Sequence, residues 1–320
     1  MKKFALALSI FGFYGMVAHG AWTYEGRWGM QGNGNGQFDE LGCLAVSPNG
    51  RVYTVEPFGN DRVQCFSPTG SFLDDWGSHG TGNGQFFNPT GVEVARNNRN
   101  VYVVDAGNSR IQYFTSTGSF LGKWGSFGTG DGQFSGPRGI AIGLNNYVYV
   151  TDTEGISVQY FTRAGSFVGK WQLSASGIAC GITVGLTGNV YVTDLRNDRV
   201  LRFTDTGSYI NGWGWFGSGN GAFDSPSDVA VDSNGLVYVA DMWNCRVQYF
   251  TAEGYYLGQW GTPGYPGGNG QFWGAIGIDL SPSGARAYVA DNGNYRVQYF
   301  NRNEPAVEPA SLGRVKALFK

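Results

Sequence analysis

Apolar and polar positions alternate along this chain in short bursts separated by Gly, Asn, Asp and Ser. The alternation has the two-residue period of half-buried strands, not the 3.6-residue period of helices. One stretch shows the unit in full. An apolar, β-branched segment GVEVA (91–95) is followed, after an Asn-rich turn, by VYVVD (101–105). A tight turn leads to RIQYF (110–114), and a Gly turn to SFLGKW (119–124). Each unit therefore predicts four short antiparallel strands.

The unit recurs. VYVVDAGNSRIQYF (101–114) returns as VYVADMWNCRVQYF (237–250) and AYVADNGNYRVQYF (287–300). Weaker copies lie at 52–66, 148–161 and 190–203. The central tyrosines Tyr53, Tyr102, Tyr149, Tyr191, Tyr238 and Tyr288 are 49, 47, 42, 47 and 50 residues apart. A tryptophan closes each outer strand: Trp28, Trp76, Trp124, Trp171, Trp213 and Trp260. Four strands per period of this length match one blade of a β-propeller. The ends sharpen the prediction. TYEGRWG (23–29) is a lone fourth strand, and RVQYF (296–300) is a third strand with no fourth after it. Both are explained if the N-terminal strand completes the last blade and closes the ring, which also removes two open sheet edges.

The expected fold is thus all-β: a six-bladed β-propeller of four-stranded antiparallel blades, occupying residues 21–301. A Gly-rich GNGQF segment, an apolar inner strand, VYVxD and NxRVQYF together resemble the NHL repeat, over residues 22–301. The resemblance implies a propeller of the bacterial, exported type. It is specific for fold and says little about activity, since propellers host many unrelated functions.

Composition agrees with that architecture. Gly supplies 53 residues and charged residues only 14%. The formal charge of −2 provides no basic face for nucleic acid. Lys2 and Lys3 precede a 15-residue apolar stretch, Phe4 to Ala18, and small residues follow at Ala18 and Gly20. This reads as a signal peptide (1–20), too short to span a bilayer, cleaved after Gly20 or Ala21. An extracytoplasmic location (secreted, periplasmic or cell-surface) follows, with no membrane span after cleavage. Without Lys2 and Lys3 the chain carries 20 basic and 24 acidic residues, which disfavours RNA binding. Residues 302–320 leave the repeat and read as a linker-like tail.

The repeated polar residues are expected to serve the blades. Asp105, Asp152, Asp194, Asp241 and Asp291 recur after VYV, with Glu56 in the first copy. Arg62, Arg110, Arg199, Arg246 and Arg296 recur after the turn, where a carboxylate–guanidinium pair can brace the hairpin. The Gly runs at 32–38, 80–86, 128–134, 217–223 and 267–272 lack the Lys-Ser/Thr of a phosphate loop and read as interblade connections, their Phe plugging between blades. Only GTGDGQF (128–134) retains an acid that a calcium ion would use. Cys43, Cys65, Cys180 and Cys245 form no CxxC, so no zinc site is expected. Cys43 and Cys180 fall in blades on opposite sides of the ring. Cys180 with Cys245 is the one pair in adjacent blades for which a bridge is geometrically conceivable.

Catalysis has few candidates. His79 is the only histidine beyond the leader. That excludes the several histidine ligands of an amidating-type zinc lyase, and places any Ser–His–Asp triad on a Gly-rich loop. Calcium-dependent lactonase-like propellers use channel acids, and the inner strands offer Glu93, Asp228 and Asp279. Glu93 and Asp279 stand where other blades carry Ala or Thr, a difference folding does not explain. Function is otherwise expected where repeats differ, on the face carrying hairpin tips and interblade loops. Phe58, Glu154, Ile156, Arg196, Trp243 and Tyr295 vary there, with Asp198 and Met242, and Arg138 and Cys180 precede two inner strands. Such residue types dominate interaction hot spots. Between blades three and four the Gly loop is missing and the hairpin DTEGIS (152–157) has lost its Asn and Arg. A notch lined by Glu154, Ile156, Gln172, Cys180 and Arg196 is expected at that break. The reading is a non-enzymatic scaffold for a protein or glycan, with no metal and no obligatory cofactor. The alternative is a channel-centred, calcium-dependent hydrolase or lyase.

Overall fold

A computed structural model of the protein describes residues 20–173 and 176–303. Residues 1–19 and 304–320, which hold nearly all of the expected signal peptide and most of the expected tail, lie outside the described residues. Six sheets, each of four antiparallel strands, stand around a central axis. Blade one comprises Leu44–Val46, Val52–Glu56, Arg62–Phe66 and Phe72–Trp76. The inner strands of blades two to five are Pro89–Val94, Pro137–Ile142, Ala179–Val184 and Pro226–Val231. Blade six runs from Ala275–Leu280 through Arg286–Asp291 to Arg296–Arg302. Among the described residues helix is confined to two single 3-10 turns at hairpin tips, and no helix is long and apolar enough to cross a membrane.

The ring closes as the unpaired ends predicted. Trp22–Trp28 lies antiparallel to Arg296–Arg302, with Trp22 opposite Arg302 and Trp28 opposite Val297. Side-chain packing explains why this strand is needed. In five blades the turn between third and fourth strands lays a glycine flat on the tryptophan of the preceding blade. At Gly70 a Cβ would lie 2.5 Å from the Trp28 ring, and Gly118, Gly165, Gly207 and Gly254 repeat the contact on Trp76, Trp124, Trp171 and Trp213. Blade six has no such turn, because the chain enters and leaves there. Trp22 replaces it, stacking on Trp260 with centroids 5.0 Å apart and planes 27° apart.

Blade two shows what the recurring polar residues do. The Asp105 carboxylate, fully buried, accepts hydrogen bonds from Arg110 Nε (2.6 Å), Asn108 Nδ2, Gln112 Nε2 and the Phe87 amide. The remaining Arg110 nitrogens donate to the carbonyls of Thr81, Gly82 and Gln85. One guanidinium thus satisfies its own hairpin and the loop arriving from the previous blade. Equivalent ion pairs join Glu56–Arg62, Asp194–Arg199, Asp241–Arg246 and Asp291–Arg296. In blade three Ser157 stands in place of the arginine, and Asp152 instead accepts the amides of Ser135 and Gly136. The loop phenylalanines Phe38, Phe86, Phe134, Phe223 and Phe272 are fully buried between blades. In the Gly loop of blade three, Asp131 is paired with Lys170 at 2.7 Å.

Candidate functional site

The inner strands enclose a channel with three levels. On the face of hairpin tips and interblade loops it opens as a mouth of about 520 Å³. Below lies a waist of about 40 Å³, and beyond it a smaller mouth of about 180 Å³ on the opposite face. The waist is narrow because the inner strands of blades two to six carry a register shift there and neighbouring backbones nearly touch. A Cβ at Gly139 would stand 2.4 Å from the Cys180 carbonyl, and one at Gly91 2.5 Å from that of Arg138.

The three acids sit from the waist downward. Asp228 accepts the amides of Val229 and Ile278, each at 2.9 Å, and so ties blade five to blade six. Asp279 accepts those of Leu280 and Val46, each at 2.7 Å, tying blade six to blade one. Folding therefore does explain the acid at Asp279, against the sequence expectation. It spans the seam between two inner strands whose amides face the channel. Glu93 differs, since among the described residues its carboxylate accepts only the adjacent Val94 amide. Burial, reinforced by the Asp279 charge, raises Glu93 to about 8. Burial likewise raises Asp228 to about 7 and Asp279 to about 6, opposed in both by the amides they accept. Glu93 thus carries a proton near neutrality, as a general acid would.

A pH dependence follows. The folded-state pKa of Glu93 is above the unfolded one, so the folded state holds the extra proton between about pH 4.5 and 8. The associated stability is present at the acid end and is lost as pH rises through 8. Thermal midpoints are expected to fall between about pH 5 and 8.5, and Glu93→Gln to flatten the fall by on the order of 2–4 kcal/mol. Asp228 and Asp279 act in the same direction and leave a residual slope. An equal slope in wild type and variant, measured by calorimetry across that range, would show Glu93 is not its source.

Histidine contributes nothing to the channel walls. His79, on an interblade loop, is 68% exposed at its side chain, pairs through Nδ1 with Asp61 Oδ2 of the blade-one hairpin tip at 2.7 Å and packs edge-on against Phe87. Among the described residues no three His, Cys, Asp or Glu side chains converge to hold a metal ion.

The large mouth brings together part of the set expected from sequence. Phe58, Glu154 and Trp243 line it from hairpin tips, with Met242, and Arg138 and Cys180 from the inner strands. Phe58 and Trp243 are 56% and 62% exposed. Phe58 also holds a left-handed backbone at φ 46°, a strained conformation for a bulky side chain. Ile156, Arg196 and Tyr295 are outside the mouth. Ile156 and Tyr295 occupy the left-handed residue that ends the hairpin, at φ 49° and 52°. That geometry turns both side chains inward, where they pack half-buried against the cores between blades. Arg196 is exposed on the tip of blade four but does not reach the cavity.

The residues expected to form a notch therefore do not share one. Glu154 and Cys180 face the mouth, whereas Ile156 packs inward and Gln172 and Arg196 point elsewhere. Leu173 closes the shortened connection, its amide donating to the Ile156 carbonyl at 2.9 Å and its side chain buried with Trp171 and Ala179. The four cysteines are free thiols. Cys43 and Cys180, although from opposite blades, both open into the mouth, where Arg138 hydrogen-bonds Cys180. Burial raises both thiols. Cys245, by contrast, sits at the left-handed end of its hairpin with its sulfur toward the Trp243 carbonyl. The convergence of Cys43 on this site carries no signal in the sequence, because it depends on the width of the channel.

Comparison with known proteins supports the architecture. Residues 223–250 match the NHL repeat, so the chain carries that repeat as its sequence implied. No curated protein matches the chain by sequence. Among solved structures, a streptogramin B lyase is 16% identical with a TM-score of 0.61, covering 87% of this chain and 98% of its own. A catalytically inactive virginiamycin B lyase from Staphylococcus aureus, crystallised with quinupristin, is 14% identical with a TM-score of 0.59, covering 86% of this chain and 83% of its own. A structural genomics protein of unknown function from Bacteroides thetaiotaomicron is 15% identical with a TM-score of 0.68, covering 88% and 76%. At such identities these likenesses establish the shared propeller fold.

Proposed function

We propose that the protein is an extracytoplasmic, non-enzymatic binding module that holds a protein or glycan partner in the mouth on its loop face. The observation that carries this reading is Phe58, a large apolar side chain more than half exposed on a strained left-handed residue beside the mouth. Such strain persists where surrounding structure enforces it, and it concentrates at ligand clamps. Trp243 projects from another hairpin tip of the same cavity. Exposed aromatic anchors around a concavity are what an interface hot spot requires.

The test is capture of partners from an exported fraction by immobilised wild-type protein and by the Phe58→Ala/Trp243→Ala double variant. Retention is expected to fall by about 30-fold or more in the variant, corresponding to a hot-spot loss of about 2 kcal/mol. Unchanged retention would sink the reading. The second reading, a channel-centred calcium-dependent hydrolase or lyase, draws on Glu93 and Asp279 lining the waist and lower mouth together. Titration with calcium separates the two. A clear rise of the thermal midpoint, lost in Glu93→Gln, favours the enzyme.

A further inference from the structure

We propose that the mouth is a seat for a carboxylate on a bulky apolar body, with the Arg138 guanidinium as the group that receives the carboxylate. The inference rests on the mouth being the binding site and adds the chemistry of what enters it.

Arg138 is set apart by what it lacks. Arg62, Arg110, Arg246 and Arg296 are buried against carboxylates of their own hairpins. Arg138 is exposed, lines the mouth and makes no ion pair among the described residues. The corresponding inner-strand positions of other blades carry the neutral Thr90, Cys180, Ser227 and Ile276, so no neighbour there supplies a counter-charge. Two thiols share the mouth with it, Cys180, which it hydrogen-bonds, and Cys43, and burial pushes both of them up. A guanidinium that opens into a cavity with a thiol beside it and no carboxylate in ion-pair contact still offers a fork of donors matched to a planar carboxylate.

Position and shape narrow the ligand further. Arg138 immediately precedes Gly139, one of the glycines that narrow the waist, so it stands at the floor of the mouth. A ligand meeting it must end there, because the waist below has room for little more than water. Phe58, Met242 and Trp243 stand around the opening and suit an apolar or aromatic body. Glu40 and Glu154 also line the mouth, and Glu154 already accepts the Ser135 hydroxyl at 2.9 Å. Two carboxylates against one guanidinium disfavour a dianion such as a phosphate monoester. A monoanion bound end-on by the single cation is the chemistry that remains. A free small acid and the terminal carboxylate of a chain share it.

The experiment measures thermal shift and calorimetric binding at millimolar ligand, using N-acetyl-tryptophan, indole-3-acetate and phenylacetate with their neutral amides. A second arm uses the peptide Gly-Ser-Gly-Phe-Trp as free acid and as amide. At least one acid is expected to bind about 30-fold or more tightly than its amide, and Arg138→Gln to abolish that preference. Arg138→Lys should restore part of it. Tighter binding of the peptide acid than of all three small acids assigns the source to a chain end, and the reverse to a free metabolite. Acids and amides binding alike, acid preference surviving Arg138→Gln, or no acid binding at all would each overturn the proposal. Phe58→Ala keeps the two readings separate. If it weakens acids and amides equally while no acid preference exists, the mouth is a binding site and the carboxylate assignment alone fails. Arg138→Gln is expected to melt with the wild type, since the side chain is exposed, makes no ion pair among the described residues, and glutamine can still hydrogen-bond the Cys180 thiol.

Discussion

A variant lacking residues 22–28 is expected to lose the cooperative unfolding of the entire ring, with a midpoint lowered far beyond the effect of trimming one edge. The deleted strand serves three blades at once. Trp22 stacks on Trp260 and meets Tyr238 edge-on in blade five. Tyr24 packs against Phe300 within blade six. Trp28 lies against Phe66 and under Gly70 in blade one. Burial of each large aromatic contributes about 1.5–3 kcal/mol. Together with a full ladder of backbone hydrogen bonds, the strand accounts for a large share of the roughly 5–15 kcal/mol that holds a domain folded. Its removal also exposes the Arg296–Arg302 edge, a template for association. Calorimetry should show a lower, broader transition, and added peptide spanning 22–28 should restore the original one. A deletion variant melting with unchanged midpoint and cooperativity would refute closure by this strand. Trp22→Ala alone should cost about 3 kcal/mol, since it uncovers the Trp260 face that Trp22 stacks on.

Asp241→Ala is expected to destabilise by about 3–5 kcal/mol, the cost of leaving a buried charge without its partner. Asp241 accepts from Arg246 Nε (2.7 Å), Asn244, Gln248 and the Asp224 amide. Without it Arg246, which is 6% exposed, keeps its loop carbonyls but loses its counter-charge. The repeat provides an internal control. Asp152→Ala in blade three removes a carboxylate of equal burial that faces no arginine. Its cost should be nearer 1–3 kcal/mol, the desolvation of unpaired amides. Urea unfolding of both variants, at constant slope, measures the difference. Equal losses would mean that the guanidinium contributes nothing to the blade.

The same contrast between blades shows which features were legible before the structure. Six copies of the central tyrosine and of the closing tryptophan announced the blades, and the structure adds why the tryptophan recurs: five are platforms for a turn glycine of the following blade and the sixth, Trp260, for Trp22. Asp105 and Arg110 were read as structural partners from their recurrence, and their hydrogen bonds support that role. The acids were harder. Asp279 looked anomalous because its partner, the Val46 amide, lies 233 residues away. Trp22 gave no signal either, since its role exists only where the two chain ends meet.

By itself the sequence determined the number of blades, their four strands and the closure of the ring, because strand alternation, turn residues and repetition are local properties repeated until they are unambiguous. Only the tertiary structure decided which variable residues share a site. It turned Ile156 and Tyr295 inward through left-handed hairpin ends, left Arg196 outside the mouth, and set Arg138 beside Cys43 and Cys180. The physical reason is that a side chain's direction depends on the backbone beneath it and its neighbours on the curvature of the whole ring. No single repeat encodes either.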